Sequence, residues 1–217
     1  MSLKSTAKSR ENLINDISSI REEFYNSTRK KIFFTNSQKK ECADYITSKI
    51  SLPELIHGTV YIIRDSMIYI DYSLFKQYAS PTNYDFILKH LFDCIYNVMQ
   101  KHGQFELHVY LATFSISAAE RYKDFIQAFY RIYFQSDIDY CDKMTGMYIY
   151  HVPSMMNTIS TLLRSYMTDS LTRPAKLRDK IFMYTKEESV PKLSILFGRM
   201  INGERMEDDD YEDDTPR

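Results

Sequence analysis

The sequence predicts an α/β fold: a mixed, mostly parallel five-stranded sheet flanked by helices, with further helices at the N-terminus. Three observations carry that expectation. Two β-branched and aromatic runs, Thr59-Val60-Tyr61-Ile62-Ile63-Arg64 and Met67-Ile68-Tyr69-Ile70-Asp71-Tyr72, are separated only by Asp65-Ser66, which makes a hairpin. From Tyr84 onward, helical and extended hydrophobic periods alternate, the pattern of strands joined by crossover helices. Ahead of the hairpin, Leu13, Ile14, Ile17, Ile20 and Phe24 recur at three- and four-residue spacing, one apolar stripe of a helix.

Taken in order, a second N-terminal helix spans about residues 37–50, with Cys42, Tyr45, Ile46 and Ile50 inward and Asn36 or Ser37 as its cap. Between the two helices, Arg29-Lys30-Lys31-Ile32-Phe33-Phe34 is basic and then aromatic. That composition suits a membrane surface or an anionic partner, or else Phe33 and Phe34 dock on the main domain. The main domain starts near Ser51-Leu52-Pro53. After the hairpin, Ser80-Pro81-Thr82-Asn83 punctuates the chain. The next helix carries Tyr84, Ile87, Leu88, Leu91, Ile95, Val98 and Met99 on one side and stops at Gly103.

Leu107, Val109 and Leu111 alternate with His108 and Tyr110 in a third strand. Ser115 or Ser117 caps the following helix, Ser117 with Glu120 making a capping-box pattern, and the stripe is Tyr122, Phe125, Ile126, Phe129, Tyr130 and Tyr133. A fourth strand spans residues 147–152 and a fifth residues 181–185. Between them lies a Met- and Leu-rich helix at residues 155–167. The last three strands are expected to be parallel, with right-handed crossovers. The domains are then an N-terminal helical extension (1–50), an α/β domain (51–203) and an acidic, solvated tail (204–217).

Composition narrows the chemistry. The chain has 217 residues and a formal charge of −1. Residues 207–217 hold seven acids and one Arg, so removing that net −6 leaves about +5 on the body. Such a tail is solvated, shields a basic surface of the body, or docks on a basic partner. Cys42, Cys94 and Cys141 are odd in number and widely spaced, which indicates neither a disulfide framework nor zinc, and a reducing compartment such as the cytoplasm. No run of 18 uncharged apolar residues exists, so no transmembrane segment is expected, and the polar, basic first ten residues do not read as a signal peptide. With five glycines and no Gly-rich phosphate loop, a nucleotide cradle is not indicated. The five histidines lack metal-ligand spacing, and Cys141 has an acidic rather than a basic neighbour. No catalytic residue, metal or cofactor is assigned, nor a nucleic-acid partner.

The Met-rich helix suggests a pocket. Methionine packs adaptably, so such a helix can close over an apolar ligand or simply fill a core. Here the residues resemble a family. Lys143-Met144 with Gly146-Met147-Tyr148-Ile149-Tyr150-His151-Val152-Pro153 matches a basic residue followed by an aromatic–aliphatic strand and a polar–Pro turn. Residues 159–166 resemble a gate helix, Asp179-Lys180-Ile181-Phe182 a lysine-led final strand, and Val190-Pro191-Lys192 with Phe197-Gly198 a closing segment. Residues 58–198 thus resemble the CRAL-TRIO lipid-binding domain, in particular its divergent branch of BCH domains and related modules of Rho GTPase-activating proteins.

The resemblance implies an α/β sandwich whose sheet floors a hydrophobic cavity under a gate helix. The candidate pocket residues are Leu107, Val109, Tyr148 and Tyr150 on the floor and Met155, Met156, Ile159, Leu163 and Tyr166 on the lid. Phosphatidylinositol-transfer members hold the headgroup with an acid before the fourth strand and a lysine before the fifth, positions that Asp142 and Lys180 occupy; capping strand ends is the other role open to both. The functions implied are a non-enzymatic module for a phospholipid or other hydrophobic ligand, a scaffold subunit with a filled cavity, or a small-GTPase regulatory module. Expected partners are a phospholipid or membrane surface and other proteins, in the cytoplasm, at a membrane periphery or within a large assembly.

Overall fold

The computed structural model describes residues 3–28, 35–165 and 177–201. Tyr166, the remainder of the expected gate helix, residues 29–34 and the acidic tail lie outside them. Helices α1 (Leu3–Ser27), α2 (Thr35–Lys49) and α3 (Leu52–Thr59) precede the hairpin of β1 (Val60–Arg64) and β2 (Met67–Asp71). Then follow α4 (Tyr72–Tyr78), α5 (Tyr84–His102), β3 (Phe105–Tyr110), α6 (Ile116–Arg121), α7 (Lys123–Gln135) and α8 (Tyr140–Lys143). The described chain ends with β4 (Met144–Tyr150), α9 (Met156–Ser165), β5 (Ile181–Met183) and α10 (Lys186–Ile201).

The sheet order is β1-β2-β3-β4-β5, with β1 antiparallel to β2 and the remaining neighbours parallel. The expected α/β class is therefore observed, and the parallel run begins one strand earlier than expected, at β2. Sequential parallel strands joined by crossovers of one hand place the crossover helices on one face of the sheet. That face carries Ile68, Phe105 and Leu107, packed with Leu88, Leu91 and Ile95 of α5 and Tyr133 and Phe134 of α7. The other face carries Ile63, Tyr69 and Tyr150, covered by Leu193, Leu196 and Phe197 of α10.

A third core lies past the end of β2. Leu13, Ile17 and Phe24 of α1 and Cys42, Ile46 and Ile50 from α2 and its end are buried there, together with Leu55 of α3 and Leu74, Phe75 and Tyr78 of α4. The N-terminal helices thus share one apolar cluster with the helices that bracket the hairpin. Among the described residues, α3, α4, α8 and α10 go beyond the sequence expectation, and the caps of the first two are clear. Ser51 caps α3, accepting from the Glu54 N–H at 3.4 Å, with proline in the first turn. Asp71 ends β2 and caps α4, so the chain turns into helix where the apolar run continues through Tyr72. Gly103 stops α5 as expected, with φ of 75° and its N–H on the Met99 carbonyl at 2.8 Å.

Candidate functional site

Between the crossover face of the sheet and its helices lies a cavity of about 250 Å³. Alternation on the strands directs Val60, Ile70, Leu107, Val109, Met147 and Ile149 into it. The roof comes from Ile87 and Leu91 of α5, Phe125, Ile126, Phe129 and Tyr130 of α7, and Met156 and Leu163 of α9. Tyr72, Phe75, Leu111, Phe114 and Tyr122 close the end beyond β2 and β3. The polar groups of this lining are few. The Thr59 hydroxyl donates to the Leu55 carbonyl at 2.8 Å and accepts from Tyr78 at 3.0 Å. Burial pushes the Tyr130 phenol up to about 12, so it is neutral at any physiological pH. Such a lining excludes ions and favours a neutral apolar occupant.

The candidate residues divide in a way the strand period explains. Leu107, Val109, Met156 and Leu163 line the cavity. Tyr148 and Tyr150 do not: they alternate with Met147 and Ile149 and face the other side of the sheet. There Tyr148 stacks between His108 (4.9 Å) and Phe182 (5.1 Å), and the Tyr150 hydroxyl is hydrogen-bonded to His108 Nδ1 at 2.9 Å. Ile159 is fully buried but outside the lining, and Met155, just ahead of α9, is 55% exposed.

Asp142 and Lys180 also stand away from the cavity. Both precede strands that run in parallel, so they sit at the amino ends of β4 and β5. Lys180 Nζ donates to the Cys141 carbonyl at 2.8 Å, which ties the start of β5 to the turn of α8. Asp142 is exposed, and its N–H donates to the Asp139 carboxylate at 3.2 Å. Lys180 is thus bonded to the residue that precedes Asp142, and neither Asp142 nor Lys180 belongs to the apolar lining.

Among the described residues, no cluster of His, Cys, Asp and Glu is arranged to hold a metal ion, and no helix is long and apolar enough to cross a membrane. All three cysteines are buried, and burial raises the thiols of Cys42 and Cys94, the latter to about 11. No family model, curated protein or solved structure matches the chain.

Proposed function

We propose that this chain is a non-enzymatic, CRAL-TRIO-like module that holds a slender hydrophobic ligand between the sheet and α9. The observation that supports it is the cavity itself, which is roofed in part by Met156 and Leu163 of the Met-rich helix. Its volume of about 250 Å³ exceeds that of the ~150 Å³ apolar cavities that take up benzene, and it falls just below the ~300 Å³ at which ligand pockets usually begin. A single acyl chain or a comparable rod-like apolar group suits it better than a whole two-chain phospholipid. Peripheral attachment to a membrane in the cytoplasm fits such a ligand.

Native mass spectrometry of the chain purified from a eukaryotic host, with lipid extraction, tests the reading. A stoichiometric apolar ligand is expected, and the Leu163→Trp variant, whose indole fills the cavity, is expected to lose it. If the wild-type protein carries no such ligand and takes up no fluorescent fatty acid, the cavity is packing space and the scaffold reading replaces this one. The modest volume is what favours that second reading.

A further inference from the structure

Helix α3 runs directly into β1, and a pair of histidines joins that junction to α5. The rings of His57, in the last turn of α3, and His90, within α5, meet edge to face with their centroids 4.7 Å apart. His90 Nε2 is hydrogen-bonded to the carbonyl of Val60, the first residue of β1, at 3.0 Å, and Cys94 Sγ lies 3.6 Å from the same nitrogen. His90 is half-buried and His57 is exposed. One imidazole therefore touches both sides of the junction, and the other stands where protons reach it from solvent.

We propose that the His57–His90 pair is an acid-sensitive joint, which loosens the α3–β1 junction from α5 between about pH 7 and about pH 5, the interval in which histidine gains its charge. Neutral imidazoles pack well edge to face, because the positive edge of one ring meets the π face of the other. Two imidazolium ions at the same separation repel. Lost hydration is the main obstacle to charging His90; His57 and Lys89 also oppose it, while the Val60 carbonyl and Asp93 favour it. The Cys94 thiol, raised by burial to about 11, stays neutral and adds no charge. The balance holds His90 below the ordinary imidazole value of 6.5, so the unfolded chain takes up this proton first as pH falls. The stability it represents is complete above 6.5 and is lost as pH falls through the folded value.

The joint borders the apolar cavity. Thr59 and Val60 line the cavity from one side of the joint, and Ile87 and Leu91, which flank His90 along α5, line it from the other. If the cavity carries a ligand, the wall parts at this seam in acid and the ligand is released there. That consequence rests on the ligand reading given above; the joint itself does not.

Hydrogen–deuterium exchange of the full chain at about pH 7 and about pH 5, corrected for the intrinsic pH dependence of exchange, tests the joint. Residues 52–64 and 87–95 are expected to lose protection by about tenfold at the lower pH, while α7 keeps its own. His57→Phe keeps a ring against His90 but carries no charge, and His90→Gln supplies an amide donor that does not titrate. Each variant is expected to keep the neutral-pH protection and to lose the acid response. Equal protection of the parent at both pH values, loosening of α7 to the same extent, or an acid response that persists in either variant overturns the proposal. Exchange reads an empty and a filled chain alike, so a chain that carries no ligand in mass spectrometry leaves this test intact, and a failed test here leaves the ligand reading intact.

Discussion

The Asp71 carboxylate is 1% exposed and accepts hydrogen bonds from the Ser73 N–H (2.7 Å), the Leu74 N–H (3.3 Å) and the Ser73 hydroxyl (2.5 Å). It also pairs with Arg10 of α1. One side chain therefore ends a strand, starts a helix and ties the N-terminal helix to the sheet. Removing it strips α4 of its cap and leaves a partly buried guanidinium without its carboxylate. Asp71→Ala is expected to cost about 3 kcal/mol, a drop of roughly 6–12 °C in melting temperature for a chain of this size. Asp71→Asn keeps cap acceptors and is expected to lose about half as much. Thermal melts followed by circular dichroism check both; an Ala variant that melts with the parent would show that α1 is held by its apolar stripe alone.

At the scale of elements, a helix or strand was legible wherever period and punctuation agreed. The stripe ending at Gly103 is the clearest case. Gly103 adopts a left-handed φ of 75°, and a Cβ there would touch nothing, so only conformational strain opposes a side chain. Gly103→Ala is expected to cost about 1 kcal/mol, or roughly 2–4 °C, with an unchanged denaturant slope. Where period and punctuation disagreed, elements were hidden. Leu52-Pro53 reads as a boundary, yet proline in a first turn behind a serine cap opens α3. The apolar run of β2 passes through Asp71 into Tyr72 without a break in hydrophobicity, and only the carboxylate cap marks the change to helix. Pro191 disguises α10, because it lies inside that helix and interrupts a run that otherwise reads as one amphipathic segment. For the cavity, alternation separated Leu107 and Val109 from His108 and Tyr110. It could not say that Tyr148 and Tyr150 belong to the second face, because both faces of a covered sheet are apolar.

At the scale of the whole molecule, tyrosine is the dominant buried polar group, and its ionisation sets the alkaline limit of the fold. Burial raises Tyr69, Tyr72, Tyr78, Tyr84, Tyr122, Tyr130, Tyr133 and Tyr150 above the ordinary phenol value of 10.0, Tyr130 to about 12. Each is protonated in the folded chain at a pH where the unfolded chain has begun to lose the proton. The stability this represents is complete below pH 10.0 and is lost as pH rises through the folded values. For Tyr130 alone it is on the order of 3 kcal/mol. Lys39 and Lys76 act in the opposite sense. Their folded values lie below the usual 10.5, so the unfolded chain binds more protons and stability rises as pH approaches that value. Two partly exposed lysines do not balance eight mostly buried phenols, and the net slope turns downward above pH 10. The expected outcome is a single cooperative alkaline transition above that pH, in which tyrosinate absorbance rises as the sheet signal in circular dichroism disappears. A broad titration of most tyrosines near pH 10 with the sheet intact would show instead that water reaches the Tyr69–Tyr150 layer and the phenols around the cavity in the folded state.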